Sequence, residues 1–73
     1  MFERLCAILE EFAEITREEM KPESHILNDL GMNSIDVVEA VVAVEEEFSV
    51  SVPDRMISSF QTLEDIMKFL EVV

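Results

Sequence analysis

The segment Asp29-Leu30-Gly31-Met32-Asn33-Ser34-Ile35-Asp36 sets one hydroxyl where a loop meets an amphipathic helix. Acidic residues flank Ser34 on both sides, and Glu39 and Glu46 follow along the helix. A serine hydroxyl is a weak nucleophile until a base activates it. No Ser-His-acid arrangement is visible, and Asp36 and Glu39 approaching Ser34 are not a convincing activating system. Ser34 therefore reads first as an N-cap or first-turn residue. The N–H groups and dipole of a helix start also favour a phosphate there. An exposed hydroxyl on an acidic stalk is a poor active site and a good attachment point for something another protein installs.

Other candidates for chemistry are weaker. Asp29, Asp36 and Glu39 lie near the motif, but their spacing and the glycine position do not match an EF-hand loop. Transient magnesium binding during a modification suits them better than a permanent metal site. His25 is the only histidine and lacks companion ligands at zinc-site spacing, so it reads as solvated or locally hydrogen-bonded. Cys6 stands alone, which excludes an intramolecular disulfide and a cysteine-rich metal site. It reads as a small packing residue.

Composition limits the partners. The 73 residues include 17 acidic and 5 basic ones, for a formal net charge of -12. Gripping a phosphate backbone needs Lys and Arg, so nucleic acid is excluded, and an anionic membrane surface is disfavoured for the same reason. A basic protein surface, reached by electrostatic steering, is the natural partner. About half the residues are apolar, with no Trp or Tyr. The chain is thus expected to fold as a single domain over residues 1–73 with one modest core, too small for a deep pocket with its own catalytic shell. No apolar run is long enough to span a bilayer. Met1-Phe2-Glu3-Arg4 lacks the basic region and cleavage site of a signal peptide, so a cytoplasmic location is expected.

The elements that must position Ser34 follow from apolar spacing. Phe2, Leu5, Ile8, Leu9, Phe12 and Ile15 share one face of a helix expected over residues 2–15. Residues 16–29 read as a long connection. Thr16 and Glu19 have capping-box spacing, Pro22 limits any helix they start, and Ser24 is expected to cap a turn carrying Ile26, Leu27 and Leu30 inward. Gly31 suits a position needing positive φ. A second helix is expected over residues 34–48, with Val37, Val38, Val41, Val44 and Phe48 on its broad apolar side. Asp36, Glu39 and Glu46 take the other side, with Ile35, Val42 and Ala43 close to it as apolar spots. The β-branched run favours strand locally, but strict alternation fails across Val37–Val44 and Glu45-Glu46-Glu47 continues a helical register. Ser49-Val50-Ser51-Val52 alternates without a strand to pair with and reads as extended loop. Pro53 can occupy the first turn of a short helix containing Met56 and Ile57. Thr62 and Asp65 form an Asp variant of the capping box before a helix through Leu63, Ile66, Met67 and Leu70, expected over residues 62–70. The fold class expected is all-α: a small, monomeric, antiparallel four-helix bundle with three longer helices and one short one.

With these elements in place, the chain resembles an acyl carrier protein. The match begins at Asp29-Leu30-Gly31, centres on Asn33-Ser34-Ile35-Asp36, and continues through Glu45-Glu46-Glu47-Phe48 to Pro53-Asp54. The resemblance implies that Ser34 receives 4'-phosphopantetheine from coenzyme A through a phosphodiester, installed by a phosphopantetheinyl transferase. The terminal thiol of that arm would carry an acyl group as a thioester. It further implies that Asp36, Glu39 and Glu46 form an acidic recognition surface for basic acyl-transfer, synthase or ligase enzymes, with Ile35 and Val42 as apolar contacts. Asn33 stands where the family usually has Asp; it keeps capping ability and loses a charge. A free-standing carrier in fatty acid or related lipid biosynthesis is the leading reading. Polyketide or aminoacyl cargo is an alternative, as is an acidic interaction module without a prosthetic group. A small enzyme is the third reading and fails for want of a catalytic base, a metal cluster or a preorganised pocket.

Overall fold

A computed structural model of the chain describes residues 1–72. Four α-helices follow in order: α1 (Phe2–Glu10), α2 (Ser34–Phe48), α3 (Asp54–Ile57) and α4 (Leu63–Val72). A 3-10 helix, Arg17–Glu19, interrupts the connection between α1 and α2. Among the described residues no strand forms, and one isolated antiparallel bridge pairs His25 with Thr62. The all-α class with three longer helices and one short one is as expected.

The first helix is shorter than its apolar spacing predicts. It ends at Glu10, and residues 11–15 turn instead. The amides of Phe12 and Ala13 both reach back to the Leu9 carbonyl, and the Glu14 amide leaves the helix ladder for the Leu30 carbonyl at 2.8 Å. Phe12, Ala13 and Ile15 still pack against the core from this turn, which is why their spacing looks helical. Where the expectation ended α4 at residue 70, the helix runs on to Val72. Pro53 precedes α3 as its N-cap, with φ -61° and ψ 145°, rather than lying within the first turn.

The core gathers Leu5 and Leu9 of α1, Ile26, Leu30 and Met32 of the long connection, Ala40 and Val44 of α2, and Leu63, Ile66 and Leu70 of α4. Cys6 is buried among them. Burial, and secondarily the Glu3 carboxylate, raise its thiol pKa. Two inward assignments are corrected. Leu27 and Val38 are each 50% exposed, whereas Ala40 is buried. Val38 lies at the margin of the apolar arc, whereas Ala40 falls within it, three residues from Val37 and four from Val44. Ser24 is buried, and its hydroxyl accepts the preceding Lys21 amide at 2.9 Å instead of capping the turn that follows.

Backbone bonds tie the long connection to the start of α4. The Ile26 amide donates to Gln61, Leu63 to Ser24 and Glu64 to Pro22. Thr62 and Asp65 cap α4 reciprocally: the Thr62 amide donates to Asp65 Oδ2 and the Asp65 amide to Thr62 Oγ1. The amides of Gln61 and Thr62 together hold the Asp65 carboxyl below its ordinary pKa. Thr16 and Glu19 form the capping box their spacing predicts. At the other end of α2, Ser49 adopts a left-handed conformation, φ 55° and ψ 48°, and ends the helix.

Candidate functional site

Three short-range features put Ser34 at the surface. Gly31 turns the chain at φ +73°, in the left-handed region that lacks a steric penalty only for glycine. Met32 and Leu30 on either side are buried and anchor the turn. Asn33 then serves as N-cap in extended geometry, leaving Ser34 as the first residue of α2. Of the two positions its spacing allowed, Ser34 therefore takes the first turn.

Asn33 and Asp36 satisfy each other. Asn33 Oδ1 accepts the Asp36 amide at 2.8 Å, and Asp36 Oδ2 accepts the Asn33 amide at 3.3 Å. The Val37 amide donates to the Asn33 carbonyl. Among the described residues, these bonds leave the amides of Ser34 and Ile35 without an acceptor. Both amides sit at the positive end of a helix, where an anionic group is favoured. No base is poised on the Ser34 hydroxyl: the His25 Nδ1 is engaged by the Asn28 amide at 3.3 Å, a local bond of the kind expected for this histidine. Among the described residues, no three His, Cys, Asp or Glu side chains converge as a metal set. The arrangement can present a hydroxyl and favour an anion on it. It lacks the means to activate that hydroxyl itself.

Ser34 borders an open groove of about 530 Å³ whose walls include Ile26, Leu27, Val37, Val38, Ile57 and Phe60. Beneath it lies a small apolar cavity of about 20 Å³ between the helices. Ile26, Val37 and Phe60 line both, so the groove and the cavity share a wall. Phe60 is held against Phe69 of α4, ring centroids 5.9 Å apart in an edge-to-face arrangement.

The other expected site residues lie along α2. Ile35 is 69% exposed and Val42 50% exposed, with Glu39 and Glu46 also at the surface. At helical spacing, Ile35, Glu39, Val42 and Glu46 form one strip, apolar and acidic in turn. Glu39 and Glu46, seven residues apart, are separated by about 10 Å along the helix axis. Asp36 is only half-exposed and shares its carboxylate with the cap, so it is less available than the other two.

The acidic triplet at the end of α2 divides as its helical period predicts, with partners for two of its members that the sequence does not announce. Glu45 Oε2 accepts the Val52 amide at 2.6 Å and fastens the following loop. Glu47 takes a two-pronged bond from Arg4 of α1, at 2.7 and 3.1 Å to Oε2. Among the described residues, Glu39 and Glu46 have neither an ion pair nor a side-chain hydrogen bond. Helical period separates Glu46 from the other two, but it cannot name the Glu45 and Glu47 partners, because these come from distant segments. The Asn33–Asp36 pairing did have a local signal, the cap-to-third-residue spacing.

Comparison with known proteins points the same way as this geometry. A family described as "Phosphopantetheine attachment site" matches residues 3–70. An acyl carrier protein from Helicobacter hepaticus (strain ATCC 51449 / 3B1) is 39% identical over 70 residues, covering 96% of this chain and 92% of that relative.

Proposed function

The chain belongs to the acyl carrier proteins of the phosphopantetheine-attachment family, and from that premise we propose that Ser34 is its attachment residue. A member of this family is a carrier with a covalent 4'-phosphopantetheine, and its catalysis is done by the enzymes it serves. The observation that carries the assignment is the exposed Ser34 at the first turn of α2, next to amides that the capping bonds leave open. When bound, the arm supplies a terminal thiol for a thioester. Ser34 Oγ displaces 3',5'-ADP from the pantetheine phosphorus of coenzyme A, forming the new P–O bond. Its proton passes to a base of the phosphopantetheinyl transferase, since no base of this chain is poised on it. The open Ser34 and Ile35 amides at the helix start would favour the phosphodiester charge.

The groove beside Ser34 has mostly apolar walls and suits a fatty acyl cargo, which supports a role in fatty acid or related lipid biosynthesis. The strip Ile35, Glu39, Val42 and Glu46 is the docking surface, with Asp36 at its edge beside the cap. It suits enzymes that present cations about 10 Å apart around an apolar contact. Among the described residues no helix is long and apolar enough to cross a membrane. A single-domain, monomeric carrier working in the cytoplasm agrees with the charge and with the exposure of the docking strip.

The test is direct. The chain is incubated with coenzyme A, magnesium and a broad-specificity transferase, and its intact mass is recorded. One arm per chain, absent in Ser34→Ala, is expected. No adduct with several competent transferases, or an adduct that persists in Ser34→Ala, would defeat the assignment.

A further inference from the structure

We propose that Arg4 sets the C-terminal limit of the docking surface on α2 by offsetting the charge of Glu47 at its flank. This inference rests on the carrier reading and adds a specificity-determining residue outside α2. Four contacts hold one guanidinium in place. Its Nη2 and Nε donate to Glu47 Oε2 at 2.7 and 3.1 Å, Nη2 also reaches the Glu47 carbonyl at 3.3 Å, and its carbon lies 4.7 Å above the centre of the Phe48 ring. Both donors share one carboxylate oxygen and both side chains stay about half-exposed, so this is a surface pair held by several contacts at once rather than by burial. The carbonyl bond places the positive charge at the negative end of the α2 dipole, where it is favoured.

The consequence is a sorted acidic face. Glu45 is committed to the Val52 amide, and Glu47, about a quarter turn around α2 from the strip and still half-exposed, has its charge offset by Arg4, so Glu46 is the carboxylate of the triplet that lies on the strip with no cation beside it among the described residues. With Glu39 it forms a two-point acidic strip around Val42. A partner whose cations match that spacing docks beside Ser34. Without Arg4, Glu47 becomes a third attractive point at the far end of α2 from Ser34. Charge complementarity governs both encounter and register, so an added point draws partners more strongly and less selectively.

Binding of the unmodified chain to a phosphopantetheinyl transferase, measured without coenzyme A over a salt series, tests this. The variants are Arg4→Gln, Glu47→Gln and the double substitution, each checked for helicity, with Arg4→Lys as a charge-conserving control. Arg4→Gln should tighten binding about three-fold at low salt and steepen the salt dependence, as one exposed charge contact permits. Glu47→Gln should change little alone and should abolish the gain in the double variant, while Arg4→Lys stays close to wild type. An equal gain from Arg4→Gln with and without Glu47 would reduce the effect to net charge and overturn the proposal. Unchanged or weaker binding by Arg4→Gln would overturn it too. A parallel mass measurement separates the two readings. If no arm can be installed, the carrier reading falls and takes this one with it. If the arm is installed but the coupling is absent, only the role of Arg4 falls.

Discussion

Replacing Gly31 by Ala should destabilise the fold by roughly 1–2 kcal/mol, because a β-carbon in the left-handed region costs about that much. The smaller chain entropy of unfolded Ala offsets part of it, by about 0.4–1 kcal/mol, and a second penalty makes up the difference. A β-carbon on Gly31 would run into the carboxylate of Glu14. That carboxylate ends an exposed side chain, so it can swing aside and adds less than the backbone does. For a domain of this size the loss corresponds to a midpoint lower by roughly 4–16 °C. Urea and thermal unfolding followed by far-ultraviolet circular dichroism measure it. Gly31→Asn should cost less than Gly31→Ala, since Asn tolerates this conformation. Adding Glu14→Ala should recover only the part of the Gly31→Ala loss that the collision supplies, about 0.4–1 kcal/mol. A Gly31→Ala protein as stable as wild type, or Gly31→Asn worse than Gly31→Ala, would refute the backbone argument. Full recovery by Glu14→Ala would move the cause to the side-chain collision.

Three further outcomes are expected. Glu39→Lys should slow delivery to cognate enzymes with helicity intact. The gap from wild type should narrow as salt rises, because screening acts over about 8 Å at physiological ionic strength; equal rates at every salt concentration would remove Glu39 from the docking strip. Cys6 should resist iodoacetamide at pH values where an ordinary thiol reacts, since burial raises its pKa, and should react once urea opens the fold; equal native and unfolded rates would contradict its buried placement. Asp65 ionises more readily folded than unfolded, so the stability it adds is complete above the unfolded pKa of about 3.9 and is lost as pH falls through the lower folded value. The stability gap between wild type and Asp65→Asn should therefore be constant near neutrality and shrink in acid below about pH 4, and a gap that persists unchanged there would contradict the capping assignment.

The site was legible in the sequence where its logic is local. Ser34 at a helix start, the positive φ of Gly31, and the exposed Ile35 and Val42 all follow from periodicity and cap spacing. What the sequence concealed depends on long-range partners. Phe12 and Ile15 pack inward at helical spacing, yet the Glu14 amide bonds Leu30 and the helix has already ended. Val38 is more apolar than Ala40 yet more exposed, because position on the helical arc and not hydropathy decides which of the two is buried. Glu46 stands apart from Glu45 and Glu47 by helical period alone, but the Val52 and Arg4 groups that engage those two come from elsewhere in the chain.

Phosphorus-31 resonance of the chain after treatment with transferase and coenzyme A tests the central claim most directly. A phosphodiester on Ser34 gives one resonance per chain whose shift does not titrate across neutral pH, and Ser34→Ala gives none. A resonance that titrates near pH 6 would instead be a phosphate monoester, whose second pKa is about 6. That result, or a phosphodiester that survives in Ser34→Ala, would contradict the account of Ser34 as the tether.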